Sequence, residues 1–219
     1  VNDLPPVIEA LQLSEEWRRF QAGALPSVCW DGQALRHASE VTAPRWLLPG
    51  SFNPIHAGHR GMAQWVARRR GEAVDFELSL VNVEKAPLSL EMLAPRLTQF
   101  ANGERLWLTR AATFAEKSRL FCGSTFLVGA DTMVRVVNPQ YHAGSDEGLR
   151  RAWRVIAEHD CRFLVFGRKL TDGFRTLETL SLPPEVRALC EAVSEGDYRA
   201  DISSSEIRAG RLPAGEKDA

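Results

Sequence analysis

The sequence predicts an α/β fold: a doubly wound parallel sheet preceded by a short, mostly helical N-terminal arm. Three observations carry this. From residue 45 onward the short apolar runs lack in–out alternation, as strands buried on both faces do. Longer segments of helical period separate those runs. Glycines and capping residues mark the joints between them.

Taken in order, the arm opens with Pro5-Pro6 and a helical pattern through Val7 and Leu11. Ser14-Glu15-Glu16 then reads as the capped start of a second helix carrying Trp17 and Phe20. Beyond it, Gly23, Pro26, Asp31 and Gly32 break the helical pattern repeatedly. Residues 1–44 therefore read as an arm or the remnant of a preceding unit, 45–212 as the main domain and 213–219 as a tail. In that domain the strands are expected at 45–49, 76–81, 105–109, 125–129 and 162–167. Helices are expected at 57–70, 90–101, 112–121, 148–158, 184–193 and 204–209. Right-handed crossovers make such a sheet doubly wound, with ligands at the carboxyl ends of its strands.

Composition narrows the function. A formal net charge of −1 gives no overall pull toward nucleic acid or an anionic membrane, so any polyanion site must be local. Cys29, Cys122, Cys161 and Cys190 form no C-x-x-C pair, which suits a reducing, cytoplasmic setting and speaks against a metal cluster. No apolar run approaches the roughly 18 residues of a membrane span. The start has neither the basic nor the apolar part of a signal peptide, and the lack of an initial Met fits a chain either trimmed or cut from something longer. Self-association stays open.

The segment after the first strand, Gly50-Ser51-Phe52-Asn53-Pro54-Ile55-His56-Ala57-Gly58-His59, has the parts of a phosphate site. Gly50 permits close backbone approach, Ser51 and Asn53 bring polar side chains, and a new helix presents unpaired amides. His56 and His59 lie three apart and face one way, with Gly58 between them leaving backbone open to a flat base or a phosphate. As a pair alone they would be an ordinary helix start, and no third zinc ligand lies nearby. Near the other end, Asp201-Ile202-Ser203-Ser204-Ser205-Glu206-Ile207-Arg208 contains a capping box, Ser203 with Glu206. A capped helix start is also an anion site, and Arg208 adds a planar donor fork suited to phosphate.

Together these segments resemble the signatures of the HxGH nucleotidyltransferase superfamily, which has a Rossmann-like fold. The Ser-Phe-Asn-Pro-Ile form is most similar to nicotinamide and nicotinate mononucleotide adenylyltransferases. The resemblance implies that His56 and His59 contact the triphosphate and stabilise the transition state, with Gly50, Ser51 and Phe52 lining the floor where nucleotide and pyridine meet. It implies that Ile202, Ser203, Ser204, Ser205 and Arg208 grip the β and γ phosphates. Gly129 and Asp131 resemble the family's G-x-D segment for adenosine and pyridine, although Asp131 equally fits a helix N-cap. Where the family places a Trp after that segment, this chain has Tyr141. Arg168, at the end of the fifth strand, resembles the family's Arg for substrate phosphate, and Lys85, beyond the second strand, resembles its basic residue over the triphosphate; Arg96 is a further cation whose ordinary place is a solvated helix face. Arg68-Arg69-Arg70 complements a helix C-terminus. His37, His142 and His159 carry no motif.

Such transfer needs no protein nucleophile, because the attacking phosphate oxygen is already ionised, so positioning and charge stabilisation are the whole task. ATP and a pyridine mononucleotide are the implied substrates. No carboxylate cluster suggests a protein-held metal, so Mg²⁺ is expected to ride on the triphosphate. Two alternatives stay open: the same chemistry on another acceptor or base, as in phosphopantetheine adenylyltransferases and cytidylyltransferases, or a silent nucleotide-binding module.

Overall fold

The computed structural model describes residues 6–81, 88–100, 103–142, 144–170, 173–202 and 207–210. Helices α1 (Pro6–Leu13) and α2 (Glu15–Gln21) lead into strands β1 (Ser27–Trp30) and β2 (Leu35–His37). The main run is β3 (Trp46–Pro49), α3 (Ala57–Arg70), β4 (Asp75–Ser79), α4 (Leu90–Leu97), β5 (Leu106–Thr109), α5 (Phe114–Leu120), β6 (Thr125–Gly129), α6 (Ala130–Val136), α7 (Asp146–Glu158) and β7 (Arg162–Phe166). A small hairpin, β8 (Arg168–Leu170) with β9 (Gly173–Arg175), precedes α8 (Pro184–Arg187) and β10 (Cys190–Val193).

The main sheet runs in the order β10-β7-β6-β3-β4-β5-β1-β2. Its six strands from β10 to β5 are mutually parallel, as the double-buried apolar runs predict. Chain order reverses at β3, where one half of the sheet grows through β4 and β5 and the other through β6, β7 and β10. The crevice at the carboxyl ends of β3 and β6 is thus the topological switch point, the ordinary ligand site of such folds.

Two expectations need correction. Residues 184–193 are not one helix: α8 ends at Arg187, and Cys190–Val193 pairs in parallel with β7 as the sheet's last strand. Two prolines at the start gave a helical signal, while the strand is too short to show period. The arm is helical in α1 and α2, but β1 pairs antiparallel with both β5 and β2 and so extends the sheet. Trp17, Phe20, Val28 and Trp30 are buried in the same core cluster as Leu48, Phe76 and Leu108. Burial of that many large side chains, each stabilising by roughly 1.5–3 kcal/mol, fastens the arm to the domain.

Other boundaries reflect local chemistry. Helix α3 occupies the expected residues and ends at Gly71, whose left-handed φ of 71° suits glycine. Arg69 and Arg70 in its last turn reach Asp197 and Glu191. The expected helix at 204–209 falls largely outside the described residues. No helix among the described residues is long and apolar enough to cross a membrane.

Candidate functional site

The loop between β3 and α3 is built from beneath by α4. The Gln99 side chain accepts from the Ile55 amide at 2.8 Å and donates to the Phe52 carbonyl at 3.1 Å. Arg96 donates through Nε to the Ser51 carbonyl at 3.0 Å and also to the Met92 carbonyl. Arg96 is only 8% exposed, so its placement on a solvated helix face is corrected: it lies in the wall of the site. The turn of α4 beyond Pro95 swings these two side chains onto the loop.

Several loop residues serve the fold before any ligand. The Gly50 amide donates to the Glu77 carbonyl at 2.9 Å, joining the loop to β4. A Cβ on Gly50 would come within 2.6 Å of the Phe52 ring, so its bare face is covered by that ring. Phe52 takes the left-handed region at φ 43°, a strained placement for a bulky residue, and packs edge-on against Phe76, Phe100 and His59. It is fully buried and does not line the cavity, in contrast to its expected place on the substrate floor. The Asn53–Pro54 peptide is cis.

His56 is the N-cap of α3 and His59 its third residue. Their rings stack at 3.8 Å, and the His56 amide donates to Nδ1 of His59 at 3.3 Å. That acceptor role leaves the proton of a neutral His59 ring on Nε2. Nδ1 of His56 is buried and has no hydrogen-bond partner among the described residues. Burial, followed by the charge of Arg168, lowers the His56 imidazole to about 4. Burial again leads for His59, which His56, Arg168 and Arg60 help lower to about 3. Both rings are therefore uncharged at neutral pH.

The chain's far end closes over this pair. Tyr198 donates its hydroxyl to the Gly58 carbonyl at 2.7 Å, and its ring lies where a Cβ on Gly61 would stand. A Cβ on Gly58 would meet the Ile202 methyl at 2.9 Å and the His56 ring at 3.0 Å, so the space expected to admit a base is taken by Ile202. Arg208 donates to the Asn53 carbonyl at 2.6 Å across 155 positions of sequence. Neither Tyr198 nor Gln99 belongs to a motif, so nothing in the sequence marks them.

Arg168 does not end its strand but begins the β8–β9 hairpin. It donates to the Ala200 carbonyl at 3.2 Å and stands 3.7 Å from the Asp131 carboxylate. The N-cap of α6 is Gly129, which corrects that role for Asp131, now at the helix's second position. A Cβ on Gly129 would collide with both Asp131 and Arg168. His56, His59, Asp131, Arg168 and Ile202 thus gather on the β6 side of the loop. Lys85, Ser203, Ser204 and Ser205 lie outside the described residues.

Between the end of β4 and the α6 segment opens a cavity of about 740 Å³. Gly50, Ser51, Asn53, Arg96 and Arg208 form its phosphate-like rim, and Leu78, Leu80, Phe114, Val136, Tyr141 and His142 its base-sized chamber. The histidine pair does not line it. In its wall Lys117 donates to both Glu77 carboxylate oxygens, at 2.6 and 2.7 Å, and to the Ala111 carbonyl at 2.9 Å. The loop therefore carries two half-sites, one with the imidazoles and Arg168 and one with Arg96 and Arg208.

No curated protein matches the chain. The family model for cytidylyltransferase-like proteins matches residues 47–210, the span that contains the switch-point loop, the Asp131–Arg168 pair and the closing segment. The chain belongs to the cytidylyltransferase-like family, a family of nucleotidyltransferases.

Proposed function

We propose that the protein is an adenylyltransferase that condenses ATP with nicotinamide or nicotinate mononucleotide, releasing pyrophosphate and the dinucleotide. One observation carries the reading: Asn53 with Arg208, and Gly58 with Ile202, join the two phosphate-type segments into one site at the switch point. The flanking half-sites suit two substrates, with the nucleotide donor over the imidazoles and the acceptor in the chamber.

In this mechanism an acceptor phosphate oxygen attacks the α-phosphorus. A new P–O bond forms there, the bond to the β-phosphate oxygen breaks, and pyrophosphate leaves with those electrons. No covalent enzyme intermediate is needed. Uncharged His56 and His59 donate ring N–H groups to the phosphate oxygens as charge gathers on them, and Arg168 and Arg208 supply fixed positive charge. Ser51 and Asn53 orient the acceptor's phosphate at the rim.

Imidazoles and guanidiniums are donors to phosphate rather than a cage for a hard cation. No group of three or more His, Cys, Asp and Glu is placed to hold an ion among the described residues. Mg²⁺ would ride on the triphosphate, where it would supply charge neutralisation. The test is pyrophosphate release from ATP and Mg²⁺ with a panel of acceptors, including phosphopantetheine, and with CTP replacing ATP. Release only with a pyridine mononucleotide and ATP is expected. Release only with another pair, or tight ATP binding without turnover, refutes the substrate assignment.

A further inference from the structure

We propose that His142 sets acceptor specificity: it reads an N–H donor on the acceptor's ring and so favours the carboxamide over the carboxylate form. The inference rests on the adenylyl-transfer reading above and concerns only the chamber between β4 and α6.

Nε2 of His142 lies 2.7 Å from the Val136 carbonyl oxygen. A carbonyl has no proton to give, so Nε2 must carry the hydrogen. In the neutral ring Nδ1 is then a bare lone pair, an acceptor whose tautomer the fold has fixed. Nδ1 has no hydrogen-bond partner among the described residues, it is not sealed in the core, and His142 lines the cavity.

The ring stands on a braced turn. The His142 amide donates to the Pro139 carbonyl at 2.7 Å, and Asn138 caps the short 3₁₀ turn over Pro139–Tyr141. The His142 carbonyl packs so closely on α7 that a Cβ on Gly148 would approach it to 2.1 Å. The same chamber is lined by Phe114, Leu78 and Leu80, apolar faces suited to a flat ring. A pyridine carboxamide between these walls offers N–H to Nδ1. A carboxylate in the same place meets a lone pair and leaves its own oxygen unsatisfied. The cation on this wall, Arg135, is turned toward Thr132 at 3.2 Å and Asp131 at 3.6 Å.

An adenine amino group has the same donor chemistry, so the test separates the two sources. Steady-state pyrophosphate release is measured for the wild type, His142→Gln and His142→Phe with each pyridine mononucleotide, varying ATP in parallel. Gln keeps an N–H near the Val136 carbonyl and removes the acceptor at the δ position, while Phe removes both; near-UV circular dichroism reports the fold of each. For the amide acceptor kcat/KM is expected to fall roughly tenfold through KM in both variants, the scale of one lost hydrogen bond. The acid acceptor, no longer facing a lone pair, is expected to hold or improve and the KM for ATP to hold, so the preference ratio collapses. Equal losses for both acceptors overturn the inference and leave adenylyl transfer standing, as does a change confined to the KM for ATP. Absence of turnover with either acceptor in the wild type refutes the proposed function and the inference with it.

Discussion

Lys117→Met probes the buried charge beneath the cavity. Lys117 is 6% exposed and Glu77 1%, and the ammonium gives its three protons to three oxygens. Glu77 accepts further from the Thr109 hydroxyl at 2.6 Å, and Thr109 is fully buried. Methionine fills nearly the same volume but leaves the carboxylate facing one hydroxyl. Breaking a buried pair from one side costs about 3–5 kcal/mol. With a urea dependence of about 2–3 kcal/mol per molar, the unfolding midpoint should fall by about 1–2 M. Urea titration monitored by tryptophan fluorescence measures this directly. The double variant Glu77→Leu/Lys117→Met removes both charges and should recover most of the loss, since well-packed apolar replacements of buried pairs are often neutral. A single variant with an unchanged midpoint, or a double variant as weak as the single, refutes the uncompensated-charge argument. The strand matters for function as well, because the Glu77 carbonyl receives the Gly50 amide.

The histidine pair predicts a pH response. Unfolded rings take up protons near the ordinary value of about 6.5, whereas the folded rings stay neutral down to about 4 for His56 and about 3 for His59. Linkage stability is thus complete above the unfolded value and is lost as pH falls through that window; a melting temperature equally flat in wild type and His56→Gln between these limits contradicts the burial. Gly58→Ala should destabilise by about 1 kcal/mol in thermal melts despite the helix-forming gain, because its methyl meets Ile202 and His56. Stabilisation instead would show that the closing segment does not pack there. Gln99→Ala removes both of its own bonds to the loop and should cost about 1–2 kcal/mol by urea unfolding, together with a clear drop in transfer rate; unchanged rates would deny Gln99 its positioning role. His59→Ala should lower the transfer rate at least roughly a hundredfold while near-UV circular dichroism keeps its folded signature; retained activity refutes the histidine role.

The parallel sheet was legible because strands buried on both faces are written as unbroken apolar runs, as in Thr125–Gly129 and Arg162–Phe166. The residues 190–193 strand was not, since Glu191 interrupts it and an edge strand needs apolar faces only where it packs. Nor was the pairing of β1 with β5, a contact between distant segments that no local period records. At the site, the loop and the closing segment could be read from residue types at fixed spacing. The groups that hold them could not: Gln99, Tyr198 and the Glu77–Lys117 pair act through long-range contacts that no local spacing records. Gly50 and Phe52 show a related limit, because a glycine that admits a ligand and one that admits a neighbouring ring look alike in sequence.

Transfer of a nucleoside monophosphate is followed most directly by tracking the α-phosphate itself. ATP carrying a radioactive α-phosphate is incubated with Mg²⁺, a pyridine mononucleotide and either the wild type or His59→Ala. With wild type the label is expected to move into the dinucleotide, one equivalent per pyrophosphate released, and with the variant to stay in ATP. Label retained in ATP with both proteins, or appearing as free AMP, contradicts the transfer.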